Sequence, residues 1–321
     1  MKELESLTEQ VKDRRFLVTG GAGFIGSHIA EWLVKLGAEV IILDDLSKEV
    51  KTTFPLQSNN RLKVIVGDVR NFDYDSLGRV DGIFNEAARA LIPSFSDPFT
   101  DLTVNAGGTI RLLEYCRKTD TKLVHASSGS VYGNPVSIPI SEEHPLNPIS
   151  PYGISKLVAE RYCSFYHQLY GVDVCMLRYF NVYGPRQSVS EEMGVIPIFV
   201  KRALASEPIT IFGDGEQTRD FLNVLDVVKA NILAYASDSV AGEAMNIGGG
   251  GKEISIRQLA ERIKQLCSSE SQLIFKQPKP GDIRRLVADN SKAYRLIGYA
   301  PSIDLDLGLL SYVNYVMSSP Q

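Results

Sequence analysis

The sequence predicts an α/β fold, a doubly wound parallel sheet joined to a smaller C-terminal α/β lobe. Three observations carry that prediction. Short apolar runs alternate with longer segments of helical spacing as far as Asn181, the pattern of a parallel sheet covered on both faces. A glycine-rich turn joins the first apolar run to the first helical segment. Beyond Asn181 the alternation loosens, because Pro185, Pro197, Pro208, Pro278 and Pro280 cut the chain into short pieces.

Residues 1–13 form a polar lead-in with helical character. Phe16–Thr19 is a buried-strand run that stops at glycines, and Phe24–Leu36 has helical spacing with Gly37 as its cap. Further strands are expected at Glu39–Leu43, Leu62–Val66 and Gly82–Phe84. Thr103–Cys116 is expected as one long helix, Lys122–Ala126 as a strand leading into Ser127-Ser128-Gly129, and Tyr152–Tyr170 as a helix before a strand at Val174–Arg178. Helical spacing returns at Val224–Ala236 and Ile256–Cys267.

Composition bounds the function. At 321 residues, 44% apolar and 22% charged, the chain can form one large globular domain or two modest ones. The net charge of −4, with basic residues scattered, argues against nucleic acid as a partner. No two of Cys116, Cys163, Cys175 and Cys267 stand at metal-ligand spacing, so no metal is expected. So few thiols suit a reducing cytoplasm. The N-terminus has no apolar run of signal-peptide length, and no stretch approaches the roughly 18 apolar residues of a membrane helix. A cytoplasmic protein with no membrane partner is therefore expected.

The first motif is Thr19-Gly-Gly-Ala-Gly-Phe-Ile-Gly26. Gly20 allows a tight turn, Gly23 lets the backbone approach a pyrophosphate, and Gly26 lets helix and strand pack closely. The helix N-terminus then offers free amides and a positive dipole end to phosphates. A purely structural strand-to-helix turn would look the same. Asp44 separates the two accounts: after the second strand, a carboxylate can accept from a ribose 2′-hydroxyl and would repel a 2′-phosphate, which favours NAD over NADP. Asp45 adds to that charge. Asp68, after the third strand, either reaches the adenine or turns its loop.

The second motif is Tyr152-Gly-Ile-Ser-Lys156, whose ends share one helix face. An ammonium beside a phenol favours the phenolate, so Tyr152 is a candidate general base. Ser127, Ser128 and Ser130 follow a strand end, where open α/β sheets bind ligands; the bland account is a serine-rich turn. A non-catalytic NAD-binding scaffold could lose the Tyr-Lys pair, which is intact here.

With these residues in place, the chain resembles the nucleotide-sugar branch of the extended short-chain dehydrogenase/reductases. The resemblance runs from Arg15 to about Leu310 and rests on TGGAGFIG, SSGSVYG, YGISK, RYFNVYGPRQ, GDGEQTRDF and GDIRRLVADNSKA, in the family's order. It implies a Rossmann-type fold, tightly held NAD and a UDP-sugar substrate. It also implies a homodimer formed through Thr103–Cys116 and Tyr152–Tyr170. The expected division is an NAD-binding domain of residues 14–181 plus 222–247 and a substrate lobe of residues 182–221 plus 248–321, with the substrate between them.

Carried onto this sequence, the resemblance makes Tyr152 the base, Lys156 its partner and a ribose ligand, and Ser128 the catalytic serine. Cofactor contacts are implied at Gly20, Gly23, Phe24, Ile25 and Gly26, at Asp44, Asp45 and Leu46, and at Asp68 and Val69. Others are implied at Ala87, Ala88, Asn105, Ser127, Tyr152, Lys156 and Tyr179. Substrate contacts are implied at Ser128, Ser130, Tyr152, Asn181, Val195, Ile196, Phe212, Arg219 and Asp282. Among these, Arg219 meets the diphosphate, Phe212 lies against the uracil and Asp282 holds the ribose, while Tyr179, Phe180 and Asn181 line the nicotinamide and sugar. Outside the resemblance, Arg219 reads as a surface ion pair and Phe212 as a core aromatic.

The branch contains several reactions that begin alike. Dehydratases of the branch place an Asp-Glu pair, and the uronate decarboxylases a glutamate, directly after the catalytic Ser or Thr. Those positions hold Gly129 and Ser130. The 3,5-epimerases need a cysteine where Ser130 stands. The pattern left is that of the UDP-hexose 4-epimerases, which need only a base, bound NAD and room for a 4-ketone to turn. Asn181 and Ser188 replace the Thr and Arg that mark uronate 4-epimerases, so a neutral sugar is expected. Leu286, at the family's size-gating position, leaves UDP-glucose and UDP-N-acetylglucosamine both open.

Some residues depart from the pattern. The usual HLAA segment reads Asn85-Glu86-Ala87-Ala88, and Ser-Val-x-x-Ser becomes Leu91-Ile-Pro-Ser-Phe95. Glu86 is expected either near the nicotinamide or in an ion pair with Arg89. Lys279 replaces an arginine before Asp282 and cannot offer a bidentate fork.

Overall fold

Side-chain alternation builds the first layer. Along the first strand, Phe16 and Val18 enter one hydrophobic cluster and Leu17 enters the opposite one, as the two-residue period of a strand requires. The computed structural model describes residues 2–47, 59–188, 194–278 and 283–318. The central sheet comprises β1 (Arg15–Thr19), β2 (Glu39–Asp44), β3 (Leu62–Val66), β4 (Gly82–Asn85), β5 (Lys122–Ser128), β6 (Val174–Tyr179) and β7 (Ala244–Ile247). All seven run parallel in the order β3-β2-β1-β4-β5-β6-β7, so the order reverses between β1 and β4. Ligands of such sheets bind outside the strand C-terminal ends at that reversal.

Four main helices cover the faces: α1 (Phe24–Lys35), α2 (Gly108–Thr119), α3 (Pro151–Tyr170) and α4 (Val224–Ala236). α1 and α4 pack through Ile29, Leu33, Val228 and Ile232 on one face. α2 and α3 pack through Leu112, Leu113, Cys163 and Tyr166 on the other. The C-terminal lobe has its own core, in which Phe199, Ile211, Leu259 and Tyr312 meet. Its strands Ile209–Phe212 and Leu273–Lys276 pair in parallel, and its helix Ile256–Leu266 starts in a capping box of Ser255 and Gln258. No helix among the described residues is long and apolar enough to cross a membrane.

Two expectations change. The single helix expected at Thr103–Cys116 begins as a wider π turn over Thr103–Gly107 and becomes α-helical only from Gly108. Adjacent glycines loosen the backbone there, and polar side chains bridge the turn: Asn105 donates to Asp101 at 2.9 Å and Thr109 to the Asn105 carbonyl at 2.6 Å. The second change is β7, a strand that periodicity does not announce because its short run carries a polar Asn246 at a fully buried position.

That asparagine belongs to a network that ties α3 to the sheet. Arg178 on β6 and Glu160 on α3 are both almost completely buried. Arg178 donates to the two Glu160 oxygens at 2.9 and 2.7 Å and to the Tyr132 hydroxyl at 2.7 Å. Tyr132 donates to Asn246 at 2.6 Å, Asn246 donates to the Ile140 carbonyl at 2.9 Å, and Ser127 donates to Glu160. A buried pair is tolerable only when the surrounding groups complete its hydrogen bonds, as they do here. Glu160→Ala leaves the Arg178 guanidinium buried without its counter-charge. The expected cost, read from urea unfolding, is about 3–5 kcal/mol.

Candidate active site

The glycine turn forms because the backbone leaves no room for side chains. Gly20 has φ +62°, and a Cβ on it would lie 2.7 Å from the Ala87 nitrogen. A Cβ on Gly26 would lie 2.3 Å from the Gly20 carbonyl. At Gly23 a Cβ would meet only the Gly20 carbonyl, at 3.1 Å. Gly23 is the N-cap of α1 and no side chain caps that end, which is the arrangement an anion takes up. Asp44 ends β2 beside this turn and accepts from the amides of Ala22 at 3.0 Å and Leu46 at 2.9 Å. A cradle that a Cβ would fill, an uncapped helix end and a carboxylate at the next strand end together fit a dinucleotide. Asp68 is held by Arg70, which pulls its carboxyl below the ordinary range, and it accepts the Arg70 amide at 2.8 Å. The loop-turning account is the one its contacts display.

Ser150 caps α3 by accepting from the Gly153 amide at 3.1 Å, and Pro151 occupies the first turn. This sets Tyr152 in the first turn, where its amide donates to Ser94 at 3.2 Å. Lys156 follows one turn later, almost completely buried. Its Nζ donates to the Ala126 carbonyl at 2.8 Å and stands 5.9 Å from the centre of the Tyr152 ring. β5–β6 pairing sets Ser128 opposite Tyr179. Ser128 accepts from the Ser130 amide at 3.1 Å, and it is the side chain that draws the Tyr152 phenol down.

The electrostatics differ from those the helix spacing predicts. Burial pushes the Tyr152 phenol up to about 12, and the carboxyls of Asp101 and Glu86 add to the rise. The group that opposes it is Ser128, not Lys156. Burial also pushes Lys156 down to about 8. In the polypeptide alone the ammonium is turned to a β5 carbonyl, and desolvation outweighs its pull on the phenol.

The site opens into a cleft of about 870 Å³. Ser127, Ser128, Tyr152, Tyr179 and Asn181 line one side, and Val195, Ile196, Phe212 and Arg219 the other. Ile25 of the glycine turn also reaches it. Ser130 is not on that wall and accepts from Ser128 at 3.1 Å. Asp282 and Lys279 lie outside the described residues. Arg219 pairs with Ser255's neighbour Ile254 on one side and with Leu286 on the other, and donates to the Thr218 carbonyl at 2.8 Å. Leu286 packs with Tyr132 and Phe180 rather than lining the cleft, whereas Leu91 does line it.

Glu86 does not pair with Arg89, whose guanidinium approaches Asp97 at 4.0 Å. Instead the Tyr179 hydroxyl donates to Glu86 at 2.9 Å and accepts from Asn231 of α4 at 2.7 Å. Burial pushes Glu86 up to about 7. Asn85 joins three elements: it accepts from Thr19 at 2.7 Å, donates to Thr109 at 3.1 Å and bonds His125 at 3.0 Å. Asp101, Glu160, Arg178 and Asn231 carry no assigned role in the sequence, and Ser94 stands out there only as a member of the Leu91–Phe95 segment. The available signal was a polar residue within an apolar helical or strand run, as Asn231 is in α4, but its partner is distant in the chain.

Comparison with known proteins identifies the family. Residues 16–248 match the model of the NAD dependent epimerase/dehydratase family. A Methanocaldococcus jannaschii protein provisionally described as a UDP-glucose 4-epimerase is 42% identical over 94% of this chain and 98% of its own length. UDP-glucuronic acid decarboxylase 1 of Xenopus tropicalis is 36% identical over 95% of this chain and 72% of its own. The solved UDP-N-acetylglucosamine 4-epimerase of Methanobrevibacter ruminantium M1, in complex with UDP-N-acetylmuramic acid, superposes with a TM-score of 0.90. It is 35% identical and covers 96% of this chain and 99% of that one. Relatives of such different activity fix the family and the cofactor but not the sugar. The chain belongs to the NAD dependent epimerase/dehydratase family and uses NAD as its cofactor.

Proposed function

We propose that the protein interconverts the 4-epimers of a neutral UDP-hexose, either UDP-glucose and UDP-galactose or their N-acetylated counterparts. The observation that carries this is Ser128 and Tyr152 on the cleft wall with Lys156 buried one helical turn on, and Gly129 and Ser130 directly after Ser128, where elimination or decarboxylation would need an acid.

Bound NAD supplies the hydride acceptor for carbon 4 and a positive charge of the sign that favours a phenolate. Tyr152 takes the proton of the 4-hydroxyl and later returns it. Ser128, which favours the ionised phenol, holds the same hydroxyl. Lys156 is fixed on Ala126 and serves as the cationic partner. Arg219 meets the diphosphate, where a guanidinium fork suits phosphate oxygens, and Phe212 lies against the uracil. Ala90 and Leu91 offer the sugar an apolar wall that leaves the ketone free to turn. Arg186 is engaged by Glu31 on α1, so it is not the carboxylate ligand a uronate would need.

We also propose a homodimer. Ile154, Tyr162, Phe165 and Leu169 are exposed along one side of α3, and Phe99 and Leu102 are exposed nearby in the chain segment packed on it. Free cysteines, three of them buried, suit a reducing cytoplasm.

Incubation with UDP-glucose and with UDP-N-acetylglucosamine, followed by chromatography, should give the 4-epimer of at least one. No 4-epimer from either, or a 4-keto-6-deoxy or decarboxylated product, would sink the reading. In Tyr152→Phe, kcat should fall roughly 10²–10⁴-fold while NAD stays bound; unchanged turnover would remove Tyr152 as the base. Light scattering should give a dimer mass for the wild type and a monomer mass for Phe165→Glu. A monomeric wild type would rule out the dimer.

A further inference from the structure

Glu86 stands where the resemblance places an uncharged leucine, directly after β4. Its amide donates to the Thr19 carbonyl at 3.2 Å, and a Cβ on Gly20 would meet its carbonyl carbon at 2.9 Å, so it adjoins the glycine turn. Its carboxyl is held by Tyr179, a residue of the cleft wall, and Tyr179 is held by Asn231. Residues from β4, β6 and α4 thus fix one carboxyl in place.

A support for Tyr179 needs only a neutral acceptor, which would avoid the cost of desolvating a charge. The charge also works against the base, because it raises the Tyr152 phenol. The titratable groups that face Glu86 are Lys156 and Tyr152 of α3 and Tyr179 of β6. Lys156 is bonded to Ala126 instead, and among the described residues no ion pair includes Glu86. The attraction of Lys156 for this carboxyl therefore acts through space, without a direct ion pair, and burial outweighs it.

We propose that Glu86 is the counter-charge of the cofactor's nicotinamide ring, stabilising the oxidised cofactor over the reduced one and so keeping the resting enzyme oxidised. The inference rests on NAD occupying this site and not on the identity of the sugar. In the forward half-reaction the C4–H bond breaks with its electron pair passing to the ring, and the hydroxyl proton passes to Tyr152. The ring's positive charge is thereby cancelled. Glu86, no longer opposed to that charge, takes up a proton from solvent and releases it when the hydride returns. Its carboxyl, held near 7 by burial, can make that exchange around neutral pH. The preference for the oxidised cofactor is therefore full above that range and lost below it. A site that penalises the reduced state returns the hydride promptly and guards against stranded reduced enzyme when a ketone escapes.

The test is a redox titration of the holoenzyme with mediator dyes at several pH values and no sugar present, read from the absorbance of the reduced nicotinamide. In the wild type, reduction should take up one more proton around neutral pH than reduction of free NAD does. In Glu86→Gln that extra proton should vanish, and the equilibrium should move about tenfold toward the reduced cofactor. Glu86→Asp, which keeps the charge, should keep the proton. A Glu86→Gln variant that titrates like the wild type would overturn the proposal, and so would a wild type without the extra proton. The wild-type count decides alone if the Gln variant loses its cofactor. Failure of the 4-epimerase reading would show only in sugar assays, which this titration does not use.

Discussion

The buried Arg178–Glu160 pair is the constraint on which the site depends. It joins β6 to the middle of α3, the helix whose first turn carries Tyr152 and whose second carries Lys156. Ser127 closes the same carboxylate from β5, and Tyr132 and Asn246 extend the network to β7. A helix packed by apolar contacts alone can slide or rotate slightly at small cost. A bidentate guanidinium–carboxylate pair accepts one geometry, because any displacement exposes a buried charge to a medium that cannot solvate it. Ser128, next to Ser127 on β5, is thereby held in register with Tyr152.

Within that frame the site balances desolvation against charge. Burial raises the phenol and lowers the ammonium, which on its own would leave Tyr152 an acid and Lys156 a weak cation. Two carboxyls, Glu86 and Asp101, sustain the protonation of Lys156 while making the phenol harder to ionise. Such an arrangement is incomplete as a base without an additional positive charge. This is the sense in which the polypeptide is built around an oxidised dinucleotide, and the glycine turn, uncapped α1 terminus and Asp44 supply the place for it.

The family membership carries the fold and the cofactor, and the details of the strand ends carry the proposed reaction. Gly129 has an ordinary φ, yet a Cβ there would come within 3.1 Å of the Phe180 ring. A larger residue after Ser128 would therefore need the Phe180 ring to give by a few tenths of an ångström. Glu86, one strand away, restores an acid to the region but is held by Tyr179.

Local signals made much of the molecule legible in the sequence. The parallel sheet followed from short apolar runs, the glycine turn from three glycines between strand and helix, and the Tyr152–Lys156 pair from the helical repeat; each depends on residues close in the chain. The same approach missed β7, whose short strand has a buried polar centre, and smoothed over the π turn before α2, which depends on side-chain bonds across the turn. Of the two places expected for Glu86, the tertiary structure removes the pairing with Arg89 and adds a bond from Tyr179. It also attributed the control of Tyr152 to Lys156, where folding made burial and Ser128 the stronger influences. The physical reason is common to these cases. Periodicity and turn chemistry are set by neighbours in sequence, whereas pairing of buried charge and the extent of desolvation are set by groups brought together across the sheet, as Glu160 and Arg178 are.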